Sequence, residues 1–559
     1  MPDNQKRAFI VNVAAVALSI CSTTAGPALA AKPAVGVRPA APPSVVGRID
    51  KVFAQWKPGR TPGCVVGVDQ KGKASIIRAY GVADLEHDAP NTPATVFEAG
   101  STSKQFTAAA VLRLAEQHKL SLTDDVRKYI PELPDYGHVV TILNLLNHTS
   151  GVRDWGELAS FAGEPRGARV YSMRDVLDLA VRQKALNFTP GDEFSYTNTG
   201  YNLLAVVAER VSGKSLPEYT AAEFFTPLGM RNTRWRDNFR RVEKGRAIAY
   251  SPTETGFAQA MPFEDTYGHA GLLTTAGDML IWNAALTDGR ISAYVAGGLA
   301  EHGVLASGRR INYARGLIWA DYRGHPEIAH PGATAGYTAW LGRYPKDGLS
   351  IALLCNRADA DNEALAHAVA DVFLSKSPAT PKPKAPIQPM AGIEGVFINE
   401  TTGAPVKLKL AEGALQVGGG MQLALASAAR FESAGSVLSF ENKDRFTLAD
   451  AYGGLASFHR GGAVSPATAQ SLAAYAGAYA SDEAGATYLI GVKDDHLTLA
   501  IKGHPEAAFD LASSYADAFD LEGLLVRFVR GSGGKVTGLR LTGDRVRNVQ
   551  FDRLAETPR

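Results

Sequence analysis

Phe97-Glu98-Ala99-Gly100-Ser101-Thr102-Ser103-Lys104-Gln105-Phe106-Thr107 runs directly into an apolar stretch from Ala108 to Leu114. Gly100 breaks the extended segment before it. Phe106, Ala109, Ala110 and Leu114 recur at helical spacing, which predicts a buried helix starting near Ser101. Residues three apart share a helix face, so Ser101 and Lys104 set a hydroxyl beside an amine at that start. The unpaired N–H groups and the helix dipole there favour negative charge. A serine becomes a good nucleophile only beside a base, and a partly desolvated lysine can lose its proton near neutral pH. Ser-x-x-Lys alone is short enough to recur by chance as an N-cap serine and a solvated lysine. Its meaning rests on the remainder of the chain.

The chain has 559 residues, room for two to four domains. Lys and Arg number 58 against 56 Asp and Glu, so no general field attracts nucleic acid or an acidic membrane. No basic, aromatic-studded groove is apparent, and nucleic acid is not expected as a partner. Residues 1–30 read as a signal peptide: Lys6 and Arg7, an apolar run from Ala8 to Ile20, and Ala28-Leu29-Ala30 as a small-x-small cleavage site. Cys21 raises a lipoprotein alternative, opposed by the bulky Ile20 before it. A periplasmic or secreted protein is expected, with no integral membrane segment after cleavage. Export leaves Cys64 and Cys355 in an oxidising compartment. A disulfide and two separate buried thiols both remain open, the separate thiols preferred.

Residues 31–43, rich in Pro, Ala and Gly, read as a tether. Val45, Val46, Ile49, Val52, Phe53 and Trp56 form a helical stripe. Gly63 to Asp69 and Ala74 to Tyr80 read as a hairpin, and Thr338 to Tyr344 and Ser350 to Asn356 as further strands. Helical segments fill the interval: Ile142 to Asn147, Met173 to Lys184, Gly200 to Val211 and Thr274 to Leu286, and Glu363 to Leu374 closes the region. The expected class is α/β (α+β): one antiparallel sheet built from both ends of residues 44–375, flanked by helices, with a helical insertion. Prolines 378, 381, 383, 386 and 389 make 376–389 a stiff linker. Beyond it, Gly395-Val396-Phe397 resembles Gly477-Ala478-Tyr479. Val406, Leu408, Leu410, Leu415 and Val417 map onto Tyr488, Ile490, Val492, Leu497 and Leu499 at the same offset. Two related antiparallel β units are expected over 390–462 and 470–555, each a small barrel. One larger β domain with chance alternation is the alternative.

Three further pieces join Ser101 and Lys104. Tyr196-Thr197-Asn198 lies just before a helix; a tyrosine near two cations can have a lowered pKa and act as base, and Asn198 can hold a substrate amide or orient Lys104. In His330-Pro331-Gly332, Gly332 permits close approach to the backbone. The N–H of Ala333, with that of Ser101, can form an oxyanion hole, and His330 supplies a proton-handling or hydrogen-bonding group. His148, in Leu145 to Gly151, is read as structural.

This ordered set over Val45 to Leu374 resembles the penicillin-recognising, serine β-lactamase-related hydrolases of the class C type. They carry Ser-x-x-Lys, Tyr-x-Asn, then Lys-Thr-Gly or His-x-Gly, matched here by Ser101/Lys104, Tyr196/Asn198 and His330/Gly332. The resemblance implies acyl-enzyme chemistry on an amide, ester or lactam, with no metal or other cofactor, on a small molecule or short peptide. His-Pro-Gly in place of Lys-Thr-Gly points away from antibiotic hydrolysis. The paired β units resemble the D-aminopeptidase branch, in which a loop of the last barrel reaches the site and an acid reads the substrate amine. The segment from Ala512 to Leu521, with Asp517 and Asp520, is the candidate; a solvated acidic loop is its alternative. A D-aminopeptidase-type amidase is therefore expected. A carboxylesterase, a β-lactamase, or a penicillin-binding sensor that acylates without turnover are the alternatives, and a homo-oligomer stays open.

Overall fold

The computed structural model describes residues 44–555 apart from 57–59, 72, 74, 376–387, 412, 434 and 463–468. The expected signal peptide, the tether and most of the proline-rich linker lie outside the described residues.

Helix α1 (Val45–Val52) starts where the Ser44 hydroxyl accepts the Gly47 N–H. The strands that follow return from both ends of the region: β1 (Cys64–Gln70), β2 (Ile76–Tyr80), β3 (Tyr313–Ala314), β4 (Leu317–Tyr322), β5 (His325–Thr334), β6 (Tyr337–Tyr344) and β7 (Leu349–Cys355). They form one sheet in the order β3-β4-β5-β6-β7-β1-β2, with β1 antiparallel to β7. Alternate side chains face opposite sides. Val65, Leu341, Ala352 and Leu354 pack on the helices of the insertion, while Val66, Val68, Trp340, Ile351 and Leu353 pack with α1 and the closing helix (Asn362–Ala370). Strands β3 to β5 were not expected from sequence. Pro326 and Pro331 interrupt their pattern, and proline argues against a central strand, yet Pro331 pairs with Trp340 inside the sheet.

The helix after Ser101, α2 (Lys104–Glu116), buries every residue but Arg113 and Glu116. A helix apolar on nearly all sides must sit inside the fold. It packs against α3 (Asn198–Ser212) and the helix Ala293–Ala300.

The two C-terminal units are closed eight-stranded barrels, from Gly395–Asn399 to Leu455–Arg460 and from Gly477–Ser481 to Val549–Arg553. Residues paired by the repeat face inward in both: Phe397 and Tyr479, Leu408 and Ile490, Leu415 and Leu497 are all buried. The second barrel shares a core with the insertion, where Trp155, Leu158, Phe161 and Tyr171 pack with Tyr488, Leu499 and Phe509. The first barrel reaches the hydrolase region through Tyr452, whose carbonyl accepts the N–H groups of Asn312 and Tyr313.

Cys64 and Cys355 are partners in the β1–β7 register and form a disulfide, against the preference for separate thiols. The bond closes a loop of 291 residues. Cross-links of that reach typically stabilise by about 2–4 kcal/mol, chiefly by restricting the unfolded chain. Replacing both cysteines with alanine is expected to lower the denaturant midpoint of the hydrolase region accordingly. Reduction of the wild-type protein should reproduce the loss, and reductant should leave the double variant unchanged.

Candidate active site

A single turn of 3-10 helix, Gly100–Ser103, carries Ser101, and Lys104 is the first residue of α2. Strand β5 lies flush against this turn. A Cβ built on Gly332 would come within 2.1 Å of the Ala99 carbonyl oxygen and 3.1 Å of the Ser101 nitrogen, so only glycine fits. That contact borders the Ser101 backbone with Ala333, the next residue of β5, which is exposed.

Lys104 is fully buried. Its Nζ lies 3.2 Å from Ser101 Oγ, 2.9 Å from Asn198 Oδ1 and 2.9 Å from the His269 carbonyl oxygen. Burial pushes its pKa far below the usual lysine value, and the charge of Arg545 pushes the same way. A neutral amine has two N–H groups and one lone pair. Asn198 Oδ1 and the His269 carbonyl are pure acceptors; in the neutral form they take the two N–H groups and leave the lone pair for the Ser101 hydroxyl.

The Tyr196 phenol neighbours Ser101, and its ring centroid is 4.7 Å from Lys104 Nζ. Its expected role as an ionised base is corrected. Burial raises the phenol's pKa, outweighing the opposite pull of the Ser101 hydrogen bond and the Arg545 charge. A phenol held protonated can donate a proton, and an amine whose pKa is depressed can accept one.

Of the two roles expected for His330, its surroundings favour hydrogen bonding over proton handling. Burial, aided by Lys104, lowers its pKa to about 3. Its Nδ1 lies 2.6 Å from the Pro331 carbonyl and its Nε2 3.4 Å from the Tyr313 hydroxyl. The carbonyl can only accept, so Nδ1 carries the proton and Nε2 accepts from Tyr313. The Tyr313 oxygen is 3.1 Å from His148 Nε2, and His148 Nδ1 accepts the Thr197 N–H at 3.2 Å. The bonds run one way, from Thr197 through His148 and Tyr313 to His330, with both imidazoles neutral. They fix the backbone next to Tyr196 and the strand that carries Gly332.

Asp517 does not belong to the site. It sits in the second barrel, where its carboxylate pairs with Arg530 and accepts the Tyr475 hydroxyl at 2.7 Å. Asp520, in the same segment, caps the Gly523 N–H. The loop of that barrel that does reach the site, at Tyr196, is residues 543–548, between strands Val536–Thr542 and Val549–Arg553. Its Arg545 lies with the guanidinium carbon 5.1 Å from the Tyr196 ring centroid. Tyr452 of the first barrel stacks toward Tyr196 and Phe194. Asp154, also absent from the sequence reading, holds the start of α3 by accepting the Asn198 N–H at 2.7 Å.

A nucleophilic turn, a buried amine and a flush glycine strand on this sheet define a serine hydrolase with the β-lactamase/transpeptidase fold. Residues 49–374 match the Beta-lactamase family, and the chain belongs to it. The chain is 27% identical over 392 residues to a D-aminopeptidase of Cereibacter sphaeroides, covering 65% of this chain and 72% of that one. The octameric penicillin-binding protein homologue from Pyrococcus abyssi superposes with a TM-score of 0.54 at 22% identity, covering 74% and 99%. A D-amino acid amidase from Ochrobactrum anthropi gives 0.51 at 19%, covering 58% and 97%. Among the described residues no helix is long and apolar enough to cross a membrane.

Proposed function

We propose that the protein is an exported amidase that cleaves amide bonds of D-configured residues or short peptides through an acyl-enzyme on Ser101. The observation that carries this reading is the coordination of Lys104: two acceptors consume its N–H groups and leave its lone pair for the Ser101 proton. Ser101 Oγ attacks the carbonyl carbon as its proton passes to Lys104 Nζ. The oxyanion rests on the N–H groups of Ser101 and Ala333. As the C–N bond breaks, Tyr196 gives its proton to the leaving nitrogen and recovers one from Lys104. Water then enters with Lys104 again as base, and the ester to Ser101 is hydrolysed. Asn198 orients Lys104, and the D-aminopeptidase relatives support the substrate class.

The test is a comparison of D- and L-aminoacyl anilides together with intact-protein mass measurement after quenching. Faster turnover of the D-series and an acyl adduct on Ser101 are expected. Ser101→Ala should lose both that adduct and labelling by a fluorophosphonate. Labelling that persists in Ser101→Ala would refute the assignment.

A further inference from the structure

The loop that delivers Arg545 is built into the active site from the far end of the chain. The Glu157 carboxylate accepts the N–H groups of Asp544 at 2.9 Å and Arg545 at 2.7 Å. Asn187 donates to the Arg545 carbonyl at 2.8 Å and accepts the Arg547 N–H at 2.8 Å. Arg153 donates to the Arg547 carbonyl, and Arg547 pairs with Glu193 at 2.9 Å. Gly543 is where the loop meets Glu157: a Cβ there would fall 1.8 Å from the carboxylate oxygen. Buried Val546 anchors the loop in the barrel core.

All these bonds use backbone groups or neighbouring side chains, and none uses the Arg545 guanidinium. Its ion-pair partner among the described residues is Asp544, at 3.5 Å from Nε, and Asp544 is 68% exposed. Such a pair is weak in water. Two buried acids, Asp154 and Glu157, act on Arg545 electrostatically, but Asp154 already accepts the N–H groups of Asn198, Gly156 and Glu157, and Glu157 those of Asp544 and Arg545 itself. Arg166 is a second cation whose charge reaches Lys104, and it is neutralised by Glu264 at 3.2 Å. Glu363 acts on Tyr452, on the first-barrel side of Tyr196, and burial favours its neutral form. A planar cation with unused N–H groups is thus held over Tyr196, the group that protonates the departing nitrogen.

We infer that Arg545, supplied by the second barrel, determines specificity by binding a carboxylate on the leaving-group side of the scissile bond. This rests on the hydrolase reading above and gives it a substrate charge. A guanidinium fork matches a carboxylate by two parallel hydrogen bonds. An amine in that place would be repelled, so the last barrel selects by the opposite sign from an acid in the same position.

Three thioesters of one acyl group test this: thioglycolate (anionic), thioglycolamide (neutral) and thiocholine (cationic). Released thiol is read for the wild type and for Arg545→Gln, Arg545→Lys and Arg545→Glu. Since Arg545 also depresses the Lys104 pKa, each variant alters all three rates, and the ratio of kcat/KM values removes that shared factor. Wild type should favour the anionic over the neutral ester by about tenfold or more, the worth of a charge-assisted hydrogen-bond pair. Arg545→Gln should bring the ratio to about one, Arg545→Lys should keep part of it, and Arg545→Glu should move the preference to thiocholine. An unchanged ratio in Arg545→Gln, or thiocholine as the best wild-type substrate, overturns the inference. Fluorophosphonate labelling of Ser101 separates the two claims. Labelling without a charge preference sinks the Arg545 assignment alone, whereas absence of labelling in the wild type sinks the hydrolase reading and this one with it.

Discussion

Lys104→Met is expected to lower the acylation rate by about 10³-fold, within the range that general bases contribute, while ground-state binding changes little. Methionine removes the lone pair facing Ser101 and keeps most of the buried volume. Single-turnover acylation should therefore fall with a nearly constant KM, and Tyr196 cannot compensate because burial keeps its phenol protonated. The wild-type rate should carry an acidic limb, falling about tenfold per pH unit once Lys104 is protonated. Arg545→Gln removes one of the charges that depress this pKa, so its acidic limb should move to higher pH.

Stability supplies a second readout. In the folded protein Lys104 binds fewer protons than in the unfolded chain, because its folded pKa is depressed. Stability from this group accordingly rises with pH between the folded value and the unfolded one, by up to about 1.4 kcal/mol per unit. The difference between wild type and Lys104→Met, followed by denaturant midpoint, should drift in the wild type's favour as pH increases. An ordinary protonated lysine would give no such drift below its usual pKa. Both measurements thus separate a base from a merely structural cation.

The parts of the site legible in the sequence are those that local spacing fixes. Ser101 and Lys104 share a helix face by their separation of three, and Tyr196 and Asn198 precede a helix whose start orients them. The sheet's assembly from both ends was legible because β1, β6 and β7 are buried on both faces and read as continuous apolar strands. The barrels were legible because the inward residues recur at a constant offset. What failed has identifiable causes. The His269 carbonyl that shapes Lys104 is backbone and has no residue signature. The protonation states of Tyr196 and His330 depend on burial, which a list of neighbouring cations does not convey. Arg545 lies more than four hundred residues from Ser101 in a short hairpin loop without a motif, whereas Asp517 was conspicuous by charge and is spent on Arg530.

Removing the Glu98 side chain is expected to destabilise the fold strongly. Glu98 is fully buried three residues before Ser101, and it accepts two hydrogen bonds from buried Arg236, at 2.9 and 3.1 Å, and one from Arg246 at 3.3 Å. Arg236 Nη2 also lies 3.6 Å from Glu264, which holds Arg166. Removing one member of a buried pair leaves an uncompensated charge and costs about 3–5 kcal/mol. Glu98→Ala should therefore lower the denaturant midpoint of the hydrolase region at least as far as loss of the disulfide does. It should also slow acylation, because Glu98 and Phe97 form the short strand that positions the Ser101 turn. Replacing both partners, as in Glu98→Met with Arg236→Met, removes the orphaned charge and should recover part of the loss. Recovery will be incomplete, since Arg246 still loses its carboxylate and keeps the Tyr337 hydroxyl at 3.1 Å. If the double variant is as unstable as the sum of the two singles, the network is not coupled and the charge argument fails. If it is as stable as the wild type, the ion pair serves to hold one arrangement of the nucleophile turn more than to stabilise the fold.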